Sequence, residues 1–182
     1  MWQPDGAGLS ARIGVLTPHL DPVSETEFHT MASPGVSIHT ARVPLGIVDP
    51  DGRISARVGP EDVRAFAQPP AVDEAASRLM PIAPSALVYV FTSSSYIMGS
   101  DADAQLRTRL EGRTGGVPVI VQSASLVTAL RVMGNERIAL IHPPWFLPEL
   151  DALGATYFRQ QEFDVVHHGP AKLRSDYGDI QP

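Results

Sequence analysis

The chain has 182 residues, 43% apolar and 19% charged, with a net charge of −6, which is room for about one domain or slightly more around a sizeable core. Its longest apolar run, Ala86 to Phe91, is far short of the roughly 20 residues a membrane-spanning helix needs, Met1 to Arg12 does not read as a secretory leader, and the basic residues are scattered singly rather than gathered into a nucleic-acid surface. Zero cysteine excludes disulfides, thiolate metal sites and cysteine nucleophiles together, and makes the cytoplasm the expected compartment.

Short β-branched runs alternate with helical patterns, the mark of βαβ units on a parallel sheet. Arg12-Ile13-Gly14-Val15-Leu16 predicts a first strand and Val36-Ser37-Ile38-His39 a second. Pro60 followed by Glu61 and Asp62 opens a helix with proline and acid, both favoured at that end. Gln68-Pro69-Pro70 interrupts it, and Val72 to Met80 resumes it with Val72, Ala75, Ala76 and Leu79 on one stripe. Ala86 to Phe91 predicts the third strand, Val117 to Val121 the fourth and Arg137 to Ile141 the fifth. All three are nearly continuous apolar runs, so helices are expected on both of their faces. Ser123 is placed to cap a helix running to Met133, with Gly134 just past its end. Phe146, Leu150, Leu153 and Tyr157 recur at helical spacing after Pro143-Pro144, and Phe163 to Val166 predicts a sixth strand. Pro170 to Pro182 is polar and turn-like, with no helix to cover that strand. Residues 1–134 therefore read as one α/β lobe and 135–182 as the start of a second, cut short.

In an open parallel sheet the ligand sits beyond the carboxyl ends of the strands. Three of those ends are polar: Thr17-Pro18-His19-Leu20-Asp21-Pro22, Thr92-Ser93-Ser94-Ser95 and His142-Pro143-Pro144-Trp145. Four consecutive hydroxyl residues supply donors that can converge on a carboxylate oxygen, or form a loop capping a helix that starts near Asp101. His19 and His142 have the chemistry of an acid or base near neutral pH, or of loop histidines bonded to backbone. Asp21 either caps a helix starting near Val23 or abstracts a proton. The rings of His167 and His168, adjacent in a strand, point to opposite sides, and no acid or histidine follows at ligand spacing; a solvated pair is expected and no metal site. Trp145 and Phe146 wall a pocket or join the core, and Arg131 and Arg137 are expected to face water. No Gly-x-Gly-x-x-Gly follows the first strand and no Gly-x-Ser-x-Gly contains the serine run, against dinucleotide binding and against an α/β-hydrolase.

The same segments carry a family resemblance. Pro18-His19-Leu20-Asp21-Pro22-Val23-Ser24-Glu25-Thr26-Glu27 resembles the loop of maleate cis–trans isomerases, where a proline, a short polar stretch with asparagine and a Glu-x-Glu pair follow the first strand. Tyr89-Val90-Phe91-Thr92-Ser93-Ser94-Ser95, ending in Gly99, resembles their Tyr-x-Cys-Thr-Ser-x-Ser strand end. Val117-Pro118 through Ser123-Ala124 to Gly134 resembles their fourth strand and helix, and Arg137 to Pro143 the opening strand of their second lobe. In order along nearly the whole chain, these matches resemble the aspartate/glutamate racemase superfamily, in its maleate isomerase and arylmalonate decarboxylase branch.

The resemblance implies flavodoxin-like α/β lobes, a parallel sheet with helices on both faces, a site between the lobes, and no metal or organic cofactor. It implies chemistry at the carbon next to a carboxylate, with a small carboxylate or dicarboxylate held by Thr92, Ser93 and Ser95 beside Pro18 and Asp21. Three positions depart from the pattern. Phe91 stands where the first-lobe cysteine belongs, so transfer between two thiols cannot operate. Asp21 stands at the asparagine, where its charge disfavours a dianion unless it is protonated or paired. Pro144 or Trp145 stands at the decarboxylase tyrosine. The expectation is a cofactor-independent isomerase, racemase or decarboxylase of a small carboxylate, with His19 or His142 handling the proton. The alternative is a non-catalytic carboxylate-binding or interaction protein, a truncated relative without the catalytic cysteines. No nucleic acid or membrane partner is expected, while an open strand edge invites pairing between copies.

Overall fold

The computed structural model describes residues 6, 8, 10–46, 59–144 and 146–172. Trp145 and the last part of the turn-like tail, Leu173 to Pro182, lie outside them. Strands β1 (Ala11–Pro18), β2 (Val36–Val43), β3 (Ala86–Tyr89) and β4 (Val119–Val121) form one parallel sheet in the order β2-β1-β3-β4. That is the strand order of flavodoxin-like folds. Leu16 of β1 stands opposite Ala41 of β2 on one side and Tyr89 of β3 on the other. Strands β5 (Arg137–His142) and β6 (Asp164–Pro170) form a second, two-stranded parallel sheet. Between the strands run α1 (Ser24–Met31), α2 (Pro60–Ala67), α3 (Ala71–Arg78), α4 (Thr92–Met98), α5 (Ser100–Arg113), α6 (Gln122–Val132) and α7 (Pro148–Gln160).

Alternation along each strand sends side chains to opposite faces of the four-stranded sheet. Leu16, Val43, Leu87, Tyr89, Val119 and Val121 meet Phe66 of α2, Val72, Ala75 and Ala76 of α3, and Leu106 and Leu110 of α5 in the larger core. Val15, Ile38 and Val90 face the other way, onto Phe28 and the end of α1. Gly14 is what lets Leu79 descend onto the sheet: a Cβ at this position would stand 2.5 Å from Leu87 and 2.9 Å from Leu79. A separate core joins Ile138 and Val165 of the second sheet to Ala155, Tyr157 and Phe158 of α7, Val127 of α6 and Tyr96 of α4. A two-stranded sheet is marginal alone, and this packing supplies what it lacks.

Several elements depart from the sequence expectations. The fifth strand is covered on one face only, leaving Ile141 and, on β6, Val166 more than half exposed. Continuous apolar composition marks burial of both faces only where helices exist on both sides. Helix α6 begins one residue before Ser123, which sits inside its first turn with a buried hydroxyl and no partner, so it is not the cap. The inward stripe of α7 runs through Asp151, Gly154, Ala155, Tyr157 and Phe158, with Leu153 turned to solvent. The hydroxyl run is not a loop before the helix near Asp101; it is itself the opening of α4.

Candidate functional site

Three chain segments leave the sheets at their carboxyl ends: the β1–α1 loop, the start of α4 after β3, and the β5–α7 turn. In the first, Pro18 is the last, buried residue of β1, opposite Val43. The His19 amide donates to the Val43 carbonyl at 2.9 Å, and the ring Nδ1 accepts the Leu45 amide at 2.9 Å. Its Nε2 is buried with no partner. Asp21 is fully engaged within the loop: Oδ1 accepts the Val23 and Ser24 amides at 2.8 and 3.2 Å, and Oδ2 accepts the Thr17 hydroxyl at 2.9 Å and the Ser24 hydroxyl. Burial pushes this carboxyl up, but the hydrogen bonds from Ser24, Val23 and Thr17 outweigh it and hold Asp21 below the ordinary carboxylate value. Neutral amides and hydroxyls solvate this carboxylate and keep it ionised, so its negative charge remains beside the loop. Arg42 completes the clamp, donating to the Asp21 carbonyl at 2.7 Å and to Glu25 Oε2 at 2.8 Å.

In the second segment the helical turn divides the four hydroxyls. Ser94 donates to the Phe91 carbonyl at 2.8 Å, so the Tyr89 phenol, also 2.8 Å away, is the donor to Ser94. Ser95 is fully enclosed and donates to Asp103 Oδ1 at 2.8 Å, while Tyr157 of α7 donates to Asp103 Oδ2 at 2.9 Å. Burial raises Asp103 above the ordinary value despite both bonds. Thr92 and Ser93 are left: Thr92 lies beside the Tyr96 phenol, while the Ser93 hydroxyl has no partner among the described residues and Ser93 is 8% exposed. Phe91, at the cysteine position of the resemblance, is turned into the larger core with its ring 4.5 Å from Phe66.

In the third segment His142 is buried, with Nδ1 2.5 Å from Asp151 Oδ1; the other oxygen of Asp151 lies 2.5 Å from Nδ1 of His168 on β6. An ionised Asp151 thus accepts from both imidazoles. Burial raises this carboxyl, but the two histidines outweigh that and hold it below the ordinary value. His142 Nε2 is buried and unpartnered, stacked beside Phe146 (5.1 Å) and edge-on to Tyr96 (5.4 Å). Burial pushes the Tyr96 phenol up to about 12. His168 is therefore not solvated as the sequence suggests: its acid partner comes from α7, seventeen residues earlier, a distance no local spacing reveals. Arg137 meets Asp164 at 3.1 Å at the surface, and Arg131 donates to the Gln161 carbonyl.

Asp103 and Asp151 carry no site signal in the sequence, because an acid in the first turn of a helix already has an explanation in the helix dipole, and Tyr157 reads only as part of an apolar stripe. The open cleft of about 680 Å³ between α5, β4, α6 and α7 is lined by Asp103, Arg107, Val121, Thr128 and Tyr157 among others, and by none of Pro18, His19, Thr92, Ser93 or His142. Among the described residues no group of three or more His, Asp or Glu side chains is placed to hold a metal ion, and no helix is long and apolar enough to cross a membrane.

Neither a protein-family model nor a curated protein sequence matches the chain. Solved structures do. A variant of the maleate isomerase Iso from Pseudomonas putida, solved with maleate, superposes with a TM-score of 0.72 at 19% identity over 90% of this chain and 64% of that one. The chain has the fold of the maleate isomerases and arylmalonate decarboxylases. The Nocardia farcinica maleate cis-trans isomerase bound to TRIS gives 0.67 at 21% identity, covering 86% of this chain and 61% of that one. An arylmalonate decarboxylase gives 0.63 at 17% identity, with coverage of 91% and 65%. The chain thus spans less than two thirds of the length of each of these structures, and at these identities the likeness is one of fold.

Proposed function

We propose that the chain binds a small carboxylate or dicarboxylate at the carboxyl edge of its four-stranded sheet. This is the anchoring half of an isomerase, racemase or decarboxylase site that works beside a carboxylate without metal or organic cofactor. The observation that carries the reading is the division of the hydroxyl run: Ser94 and Ser95 are bonded internally, whereas among the described residues the Ser93 hydroxyl has no partner and Thr92 meets only the Tyr96 phenol at the end of β3. Two hydroxyls there can hold a carboxylate and stabilise the enediolate-like charge that develops when a bond to its α-carbon breaks. His142, oriented by Asp151, is the proposed proton carrier, since a histidine bonded through Nδ1 keeps Nε2 for the reacting atom.

A second reading, a binding protein without turnover, draws support from the same geometry. His19 Nδ1 is occupied by Leu45, Asp21 is a cap, and His142 Nε2 is packed against α7. Proton NMR in D₂O with maleate, aspartate, glutamate, a hydantoin and an arylmalonate separates the two. Isomerisation, α-deuteration or loss of carboxyl above a Ser93→Ala control establishes turnover. Line broadening of one carboxylate, lost in Ser93→Ala but without product, establishes binding alone. No interaction with any of them refutes both.

A further inference from the structure

We infer that His19 is locked as the neutral tautomer protonated on Nε2 and donates that hydrogen to a carboxylate oxygen of the bound ligand. The inference rests on the carboxylate reading above and adds a residue and a role to it. A backbone amide can only donate, so the 2.9 Å bond from the Leu45 amide requires an unprotonated Nδ1, and a neutral imidazole then carries its proton on Nε2. That N–H is buried and has no acceptor among the described residues. Native structures rarely leave a buried donor unmet, and such a group calls for a ligand or water.

The bond from the Leu45 amide holds the ring in this orientation. The His19 amide is tied to Val43, Asp21 caps the next turn, and Arg42 holds the Asp21 carbonyl, so the loop is clamped on both sides of the ring. Leu45 itself is anchored in the larger core, which fixes the amide that sets the tautomer. β1 and β3 are neighbours in the sheet, so His19 stands one strand away from Ser93, on the same carboxyl edge. A rigid neutral donor there recognises an acceptor oxygen, and with Nδ1 occupied it does not serve as the base.

Histidine-specific ¹⁵N labelling with long-range proton–nitrogen NMR reads the tautomer directly, the His19 signals being those lost in His19→Asn. The expected pattern is the Nε2–H tautomer, with the Nε2 proton moving downfield on addition of maleate or phenylmalonate. Two substitutions separate the two ends of the ring. His19→Asn keeps an acceptor near Nδ1 for Leu45 but removes the donor, and should weaken maleate binding about ten- to hundredfold. His19→Gln keeps a donor near Nε2 but loses the Leu45 bond; it should bind maleate within about threefold while melting lower than His19→Asn. An Nδ1–H tautomer overturns the inference, as does undiminished maleate binding by His19→Asn when Ser93→Ala abolishes it. If the wild type shows the Nε2–H tautomer yet binds neither carboxylate, the carboxylate reading fails and the ligand role of His19 fails with it.

Discussion

Gly154 offers a substitution in which two ordinary effects oppose each other and the structure decides between them. It lies in the middle of α7, where alanine in place of glycine gains about 1 kcal/mol of helix propensity. An added Cβ, however, would stand 2.8 Å from His142 Cε1, 2.9 Å from His142 Nε2 and 2.9 Å from Tyr96 Cε2. Carbon contacts are favourable near 3.5–4.0 Å, so all three lie well inside the repulsive wall. Neither ring yields cheaply: His142 is held by Asp151 and stacked on Phe146, and Tyr96 is buried among Tyr157 and Phe158. Overpacking of this kind costs about 1–3 kcal/mol. Net of the helix gain, Gly154→Ala should therefore lose up to about 2 kcal/mol, a fall in Tm of up to about 8 °C for a chain of this size. Gly112 in the last turn of α5 is the control, because a Cβ there meets nothing within 4 Å; Gly112→Ala should gain about 0.5–1 kcal/mol. Urea denaturation of both variants decides the matter, and a Gly154→Ala protein as stable as Gly112→Ala would refute the packing argument. In a His142→Ala background the penalty should shrink, since two of the three close contacts are gone.

Tyr157→Phe removes one of the two donors to the buried Asp103 carboxylate and should cost about 1.5–3 kcal/mol in chemical denaturation; a change under 0.5 kcal/mol would show that water replaces the phenol. Acid unfolding has contributions of both signs. Asp21 and Asp151 lie below the ordinary carboxylate value of 3.8, so their stabilisation is present above about pH 4 and is lost as pH falls through their folded-state values. Asp103 lies above that value, so its ionised form burdens the folded state at higher pH and acidification relieves it. Denaturation midpoints between about pH 2 and 6 should fall less steeply in Asp151→Asn and more steeply in Asp103→Asn; an unchanged acid limb in Asp151→Asn contradicts the pairing. Among the described residues the outer edges of β5 and β6 have no partner strand, and we expect copies to pair there. Light scattering at rising concentration should show a dimer, and a monomer throughout removes that proposal.

The fold was legible where apolar pattern and punctuation agreed. The Gln68-Pro69-Pro70 break falls between α2 and α3, and Gly134 closes α6 with a positive φ of 72°. What could not be read was long-range pairing. Nothing in Val165-Val166-His167-His168 announces that one histidine meets an aspartate on α7, and nothing in Ser100 to Asp103 announces a tyrosine more than fifty residues later. Such pairs depend on two helices meeting at one depth, which is a property of packing rather than of local sequence.

The hydroxyl run shows the same limit at the site itself. Read as a loop, four hydroxyls in a row are interchangeable donors for a ligand. Read as a helix, each residue is turned by about 100° from the last, so some of the four must face inward. Ser94 and Ser95 do, toward Tyr89 and Asp103, and they tie the strand end to α5 and through Tyr157 to α7. These two bonded serines thereby fix the position of Thr92 and Ser93. The prediction follows that Ser95→Ala weakens carboxylate binding only through stability, in step with its loss of Tm, whereas Ser93→Ala abolishes binding with Tm nearly unchanged. Equal losses of Tm and binding in the two variants would mean that the run serves packing alone.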